Sequence, residues 1–365
     1  MPDILRIDIF YDPLNKTILH ITDQLGVGGT EVLLKNTIPE LREYEHVIVY
    51  LGGGEELMDN FRQFPVYNLG HKGKSTVIRS GGRLKKIIKE HKVDIVHAHL
   101  FWSSLIARWA RTPETRLIST IHSVMSKDAF EKNANALIME KATADWQNDV
   151  IGVSRYVLDD YIGQVGYQGR THVLYNLIPD SFHKPAKKSI IKKHREDPVK
   201  CVAVGNLKEA KNYFFLLEAF RLLSGNQFQL DIIGEGQLRT EIQEQIDRYN
   251  LPVRILGRRN DLESILGDYA VFIQASTYEG FGIAMAEGIA AGLLPVLSDI
   301  PVHREVTANN AIYFTLDDPA ELARLLLKID SELMSPSQLE VCRSHVRDIT
   351  SSERYFTKLR EIYAA

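Results

Sequence analysis

The chain has 365 residues, 44% of them hydrophobic and 25% charged, which is ordinary for a globular protein and long enough for two domains of usual size. A formal net charge of -3 leaves no global basic footprint, so nucleic acid is not expected as a partner. Two cysteines, Cys201 and Cys342, exclude a disulfide framework or a cysteine-built metal site and suit a reducing compartment, Cys201 reading as a buried free thiol. The opening stretch "MPDILRIDIFYDPLNK" lacks the features of a signal peptide, and no apolar run is long enough to span a bilayer, so a cytoplasmic protein is expected.

Short apolar runs alternate with helical patterns from the start. "TILHITD" reads as a strand and "GGTEVLLKNTIPEL" as a helix. "HVIVYLG" follows as a strand, "GGRLKKIIKEH" as a helix with Leu84, Ile87 and Ile88 on one face, and "VDIVHAHL" as a strand. "SSLIARWAR" is helical and "RLISTIH" extended. "NDVIGVS" and "HVLYN" are strands with "RYVLDDYIGQ" as the helix between them. Such alternation predicts βαβ units and a parallel sheet covered on both faces.

"PDSFHKPAKKSIIKKHREDP" breaks the pattern with prolines and charges and reads as a linker. The alternation then restarts: "VKCVAVGN" strand, "YFFLLEAFRLL" helix, "FQLDIIGEG" strand, "QLRTEIQEQIDRYN" helix, "VRILGR" strand, "DLESILGD" helix, "AVFIQAS" strand, a helix in "GFGIAMAEGIAAG", then the strands "LLPVLSD" and "AIYFT". The predicted organisation is α/β: two doubly wound Rossmann-like domains facing a cleft, at residues 1–180 and 198–347, joined by a linker at 181–197. The amphipathic tail, residues 348–365, is expected to pack back on the first domain.

Two acids in "STYEGFGIAMAEGIAAG" stand out. Glu279 falls just past the end of a buried parallel strand, the edge where open α/β sheets bind ligands. Gly280 and Gly282 let the backbone approach a ligand and take positive φ if needed. A helix beginning near Gly282 turns free N–H groups toward that place, which favours phosphate. Glu287, in its second turn, would reach past the phosphate. Acids repel phosphate, so both are assigned to hydroxyls. A phosphate joined to polyhydroxy groups implies a nucleotide sugar. The alternative is an exposed loop acid and a solvated helix face, against which the apolar neighbours of Glu287 argue.

"EGFGIAMAE" resembles the E-x7-E signature of family 4 retaining glycosyltransferases, which have the two-domain GT-B fold. "GVGGTE", "VDIVHAH", "STIH", "GVSRYVLDDY", "VLYNLIPD", "VGNLKEAKN" and "ILGRRNDLESIL" resemble further segments of that family in the same order. The resemblance implies a metal-independent, retaining transfer from a nucleoside diphosphate sugar, a UDP-sugar being favoured, to a hydroxyl of a glycan or glycolipid acceptor, in bacterial-type cell-surface glycan synthesis. It assigns Glu287 to the ribose and Glu279 to the donor sugar, with Gly280, Phe281 and Gly282 beside sugar and diphosphate. Lys211 would bind the diphosphate in the segment that also holds Gly205 and Asn206. His122 would lie near the reaction centre, Gly28 and Gly29 would face the diphosphate from the opposite domain, and Arg258 would sit near the base. The family usually has Arg where this chain has Asn206; Arg155, Lys208, Arg258 or Arg259 are the candidates to compensate. A GT-B sugar-nucleotide epimerase and a non-catalytic binding partner are the alternative functions.

His97 and His99 are read as pointing to opposite faces of their strand, one of them buried, which makes a metal pair unexpected; His99, at the strand end, is the acceptor-side candidate. His122 could instead be structural. The run "HKGKSTVIRSGGRLKKIIKEHK" is strongly basic and could touch anionic lipid at the inner face of a membrane or be a solvated face. Phe101 and Trp102 could pack over an acceptor or within the core.

Overall fold

The structure, a computed structural model, describes residues 16–26, 28–73, 76–183, 198–223, 227–329 and 333–365. The first 15 residues and most of the expected linker lie outside them. Seven strands form the first sheet: β1 (Thr17–Thr22), β2 (Glu45–Tyr50), β3 (Val66–Asn68), β4 (Ile95–His99), β5 (Arg116–Ile121), β6 (Asp149–Gly152) and β7 (Arg170–Val173). Six form the second: β8 (Val199–Val204), β9 (Phe228–Ile233), β10 (Val253–Gly257), β11 (Val271–Gln274), β12 (Leu294–Ser298) and β13 (Ile312–Phe314). The orders are β3-β2-β1-β4-β5-β6-β7 and β10-β9-β8-β11-β12-β13, and all pairings are parallel. The inner strands are buried on both faces, which is why they read as continuous apolar runs rather than as alternation, while β3, β7 and β10 at the sheet edges are partly exposed.

Each sheet reverses its order once, between β1 and β4 and between β8 and β11. At such a switch point the flanking connections leave on opposite faces and open a crevice beyond the strand ends. The segments after β1, β4, β8 and β11 are therefore where a ligand can reach both domains.

The helix Ser352–Ala364 returns to the first domain, as expected. Leu359, Ile362 and Tyr363 are buried with Ile18, Ile118 and Ile151, each such side chain contributing about 1.5–3 kcal/mol. Lys16 Nζ donates to the carbonyl of Tyr363 at 2.9 Å. The chain crosses between domains side by side with its own return, Ile178 N–H donating to Thr350 O at 3.2 Å.

Several elements differ from expectation. The strand expected at "HVLYN" is Arg170–Val173, so it starts earlier and stops short. The basic helix runs Val77–Glu90, beginning before "GGRLKK". Helices at Ala134–Thr143, Pro319–Leu327 and Pro336–Thr350 and the short edge strand β3 were not expected. Cys201 and Cys342 are both buried free thiols. No helix among the described residues is long and apolar enough to cross a membrane.

Candidate active site

Gly205 ends β8, and the following loop turns through Glu209–Lys211 before the helix Tyr213–Arg221. A Cβ at Gly205 would stand 2.8 Å from Lys211 Cε, so the lysine lies directly across this glycine. Its Nζ reaches Glu279 Oε1 at 2.6 Å. The same oxygen accepts from Gln274 Nε2 at 2.6 Å and Ser276 Oγ at 2.7 Å. Burial pushes the Glu279 carboxyl up, but the Lys211 ammonium outweighs it and holds the carboxyl below its usual range. Oε2 takes none of these bonds. Glu279 is thus a fixed, ionised acceptor rather than an exposed loop acid.

Gly282 adopts φ 87° and caps the helix Ile283–Ala290 without any side-chain cap. Its first N–H groups therefore point out beside Glu279. Glu287 sits half-buried on this helix with Met285, Ala286, Gly288 and Ile289 around it. Desolvation alone pushes its carboxyl up to about 8. An unfolded glutamate titrates near 4.5, so between roughly pH 4.5 and 8 the native state binds the extra proton and stability declines as pH rises. Glu287→Gln is expected to flatten that decline and to be more stable than wild type at pH 8 by a few kcal/mol at most, as about 1.4 kcal/mol attaches to each pKa unit. Urea unfolding at pH 5 and pH 8 checks this; an unchanged pH slope would put Glu287 in free solvent.

The first domain meets this loop closely. A Cβ on Gly280 would lie 2.0 Å from the His122 carbonyl oxygen, and Ser154 Oγ donates to the Gly280 carbonyl at 2.7 Å. Glu305 of the second domain accepts from the N–H groups of Arg155 and Tyr156 at 2.6 and 3.0 Å, capping a first-domain helix. A Cβ on Gly29 would approach Ile283 Cδ1 to 3.5 Å, placing the glycine-rich loop at Gly28 and Gly29 opposite the helix start. Phe281 is buried against Tyr175. Glu279, Lys211, Gly205, Gly280 to Gly282, His122 and Gly29 are thus brought together, with Gly28 next to Gly29 and Glu287 on the helix that follows Gly282. Asn206, Lys208, Arg258 and Arg259 are exposed, and Arg259 is paired with Asp261.

His122 is half-buried, and burial lowers its ring to about 4. Its Nε2 meets His99 Nδ1 at 3.1 Å. His97 and His99 do not face opposite ways: both are buried, with ring centroids 4.2 Å apart, because residues two apart on a strand share a face. Next to them Leu100 holds φ 72° and ψ 167°, a region glycine normally occupies. Asp23 anchors that turn by accepting from Ser103 N–H and Oγ at 3.0 and 2.6 Å. Asp23, Ser154 and Glu305 were missed in the sequence because each matters through a partner far along the chain; Gln274 and Ser276 lie within five residues of Glu279, and the local signal was simply not used. Phe101 and Trp102 are half-buried and edge to face.

Solved structures carry the same architecture. HepE of Anabaena in complex with UDP and glucose superposes with a TM-score of 0.79 over 95% of this chain and 99% of that one, at 19% identity. This is the GT-B fold. The first domain matches the family model Glycosyltransferase Family 4 over residues 27–182, and the second matches Glycosyl transferases group 1 over residues 186–341. These two matches take in most of the chain, which belongs to the glycosyltransferases they describe. It is 26% identical over 328 residues to EpsF of Bacillus subtilis (strain 168), covering 78% of this chain and 79% of that protein. It is 23% identical over 302 residues, 77% of each chain, to the UDP-Gal:alpha-D-GlcNAc-diphosphoundecaprenol alpha-1,3-galactosyltransferase of Escherichia coli.

Proposed function

We propose that this chain is a retaining hexosyltransferase that moves a sugar from a nucleoside diphosphate sugar to an acceptor hydroxyl in bacterial-type cell-surface glycan or glycolipid synthesis. The observation that carries the reading is the pair of unlike carboxyl groups on one strand-turn-helix at the switch point. Glu279 is ionised and fixed through Oε1 by Lys211, while the Glu287 carboxyl is desolvated and no side-chain hydrogen bond is seen for it among the described residues. The first suits the sugar hydroxyls and the second the ribose. Lys211 and the N–H groups at Ile283 would take the diphosphate, whose charge grows as the glycosidic bond breaks, so the transition state gains most. No metal is assigned to this step, and no cofactor. UDP is favoured as the nucleotide because HepE is a complex with UDP and the E. coli relative is named for UDP-Gal. The diphosphoundecaprenol in the latter name supports a lipid-linked acceptor on the first domain. The basic helix Val77–Glu90, with Ile78 exposed, would then lie against anionic lipid at the inner membrane face.

Thermal shift with UDP-, GDP- and ADP-sugars identifies the donor, since a ligand of the native state raises its stability. Labelled donor then separates transfer or slow hydrolysis from formation of an epimer. An epimer as the product would overturn the reading, as would no turnover with any donor that binds. His122→Ala is expected to lower turnover more than donor affinity. Turnover within about threefold of wild type, which is under 1 kcal/mol of barrier, would make His122 structural.

A further inference from the structure

Five histidines run across the first sheet. His46 lies on β2, His20 on β1, His97 and His99 on β4, and His122 just past β5. Parallel register sets His20 beside His97. Ring centroids are 5.3 Å apart for His20 and His46, 5.8 Å for His20 and His97, 6.2 Å for His20 and His99, and 5.4 Å for His99 and His122. Burial lowers the pKa of all five rings, which favours the neutral form with one N–H and one lone pair.

Hydrogen bonding fixes where a lone pair must point. His46 Nε2 lies 2.8 Å from the Leu41 carbonyl; a carbonyl can only accept, so that nitrogen carries the proton. His46 Nδ1 is then an acceptor, and His20 Nε2 at 3.2 Å is its donor. His20 Nδ1 is left as a bare lone pair, buried, with no partner among the described residues. His99 Nε2 is likewise buried without a partner there. One ring nitrogen from each of His20, His97 and His99 lies within 4.8 Å of the other two. An unmet polar atom in the core costs about 1–3 kcal/mol, and two of these three rings carry one.

We propose that His20, His97 and His99 bind a divalent transition-metal ion, zinc by ligand type, inside the first domain and behind His122. With the three nitrogens within 4.8 Å of one another, each ring needs to close by at most ~0.7 Å to reach the ordinary Zn–N length of about 2.0–2.1 Å around a central ion. Metal-bound histidines donate their other N–H to an acceptor, and every ring has one waiting. His20 donates to His46, which donates to Leu41. His99 Nδ1 faces His122 Nε2. His97 has Tyr363 OH at 2.6 Å on Nδ1 and Thr120 Oγ1 at 2.7 Å on Nε2; ligation through one nitrogen displaces the hydroxyl there and keeps the other hydroxyl as the acceptor of the remaining N–H. The ion would tie β1 to β4. It would also set the His99 tautomer so that Nδ1–H donates to His122, making the metal a positioning element behind His122 and no participant in transfer.

The test is zinc binding by the whole chain after chelator treatment and dialysis, read by competition with a chromophoric zinc indicator, together with the visible spectrum of the cobalt-loaded protein. One equivalent of zinc should bind, and cobalt should give the intense d–d bands of a low-coordinate nitrogen site. His20→Asn should weaken binding at least 100-fold, and His46→Phe, which touches no metal, by about 10–100-fold. If His20→Asn does not fold, the wild-type cobalt spectrum and His46→Phe still decide. A weak octahedral cobalt spectrum, zinc uptake unmoved by His46→Phe, or no stoichiometric uptake overturns the proposal. The last result would leave the two nitrogens to a buried water.

Discussion

Single-turnover sugar transfer at saturating donor is expected to fall by about 10²–10³ in Lys211→Ala, the scale of one lost oxyanion donor. Lys211 is poised over Gly205 at the end of β8, beside the N-terminus of Ile283–Ala290, and no other cation on its loop is positioned alike, since Lys208 is exposed. Asn206 supplies no charge. The same substitution leaves the Glu279 carboxylate buried with only Ser276 and Gln274, and breaking a buried pair costs about 3–5 kcal/mol. Transfer must therefore be measured well below the melting midpoint of the variant. Asn206→Arg in the Lys211→Ala background is expected to restore part of the rate by returning a cation to the loop, without restoring the stability. A folded Lys211→Ala enzyme as fast as wild type would remove this loop from the diphosphate.

The second large effect is expected from Gly280→Ala. A methyl carbon cannot sit 2.0 Å from the His122 carbonyl oxygen, and that oxygen is backbone, so no side chain can swing aside. Either the Glu279 loop shifts or the two domains part. Both move Glu279 relative to His122 by about an ångström, which is enough for roughly 10²-fold in rate. Each sheet keeps a core of its own beside the cluster that the two domains share, so unfolding by heat should change less than kcat/KM. Activity near wild type would mean that the crevice works in a more open arrangement.

Much of this was legible in the sequence because it is local. Apolar runs buried on both faces gave away the parallel sheets, and Glu279, Gly282 and Glu287 share one strand-turn-helix. The helices Pro319–Leu327 and Pro336–Thr350 were also signalled: Asp318 and Ser335 cap them, each with proline in the first helical turn, and Ser335 with Gln338 forms a capping box. That pattern is a start signal and was simply not used. Other features were beyond any local pattern. The pairing of His20 with His97 depends on the register of β1 against β4, across an intervening hairpin-free crossover. The left-handed Leu100 is held by Asp23, 77 residues earlier, so its own neighbours say nothing of it. The hold of Lys211 on Glu279 joins two loops whose meeting depends on β8 lying beside β11.

The helix Ser352–Ala364 also orders events in time. Translation is vectorial, and domains generally fold as they emerge. Here the second domain lies wholly between two parts of the first. When β1 to β7 leave the ribosome, the face made by Ile18, Ile118 and Ile151 has no cover, and His97 Nδ1 lacks the Tyr363 hydroxyl. Both wait until the whole second domain has been made. The second domain can mature on its own schedule, while the first is finished last, by residues synthesised some 180 positions after its sheet was complete. Nonsense or frameshift lesions late in the gene should therefore damage the early domain.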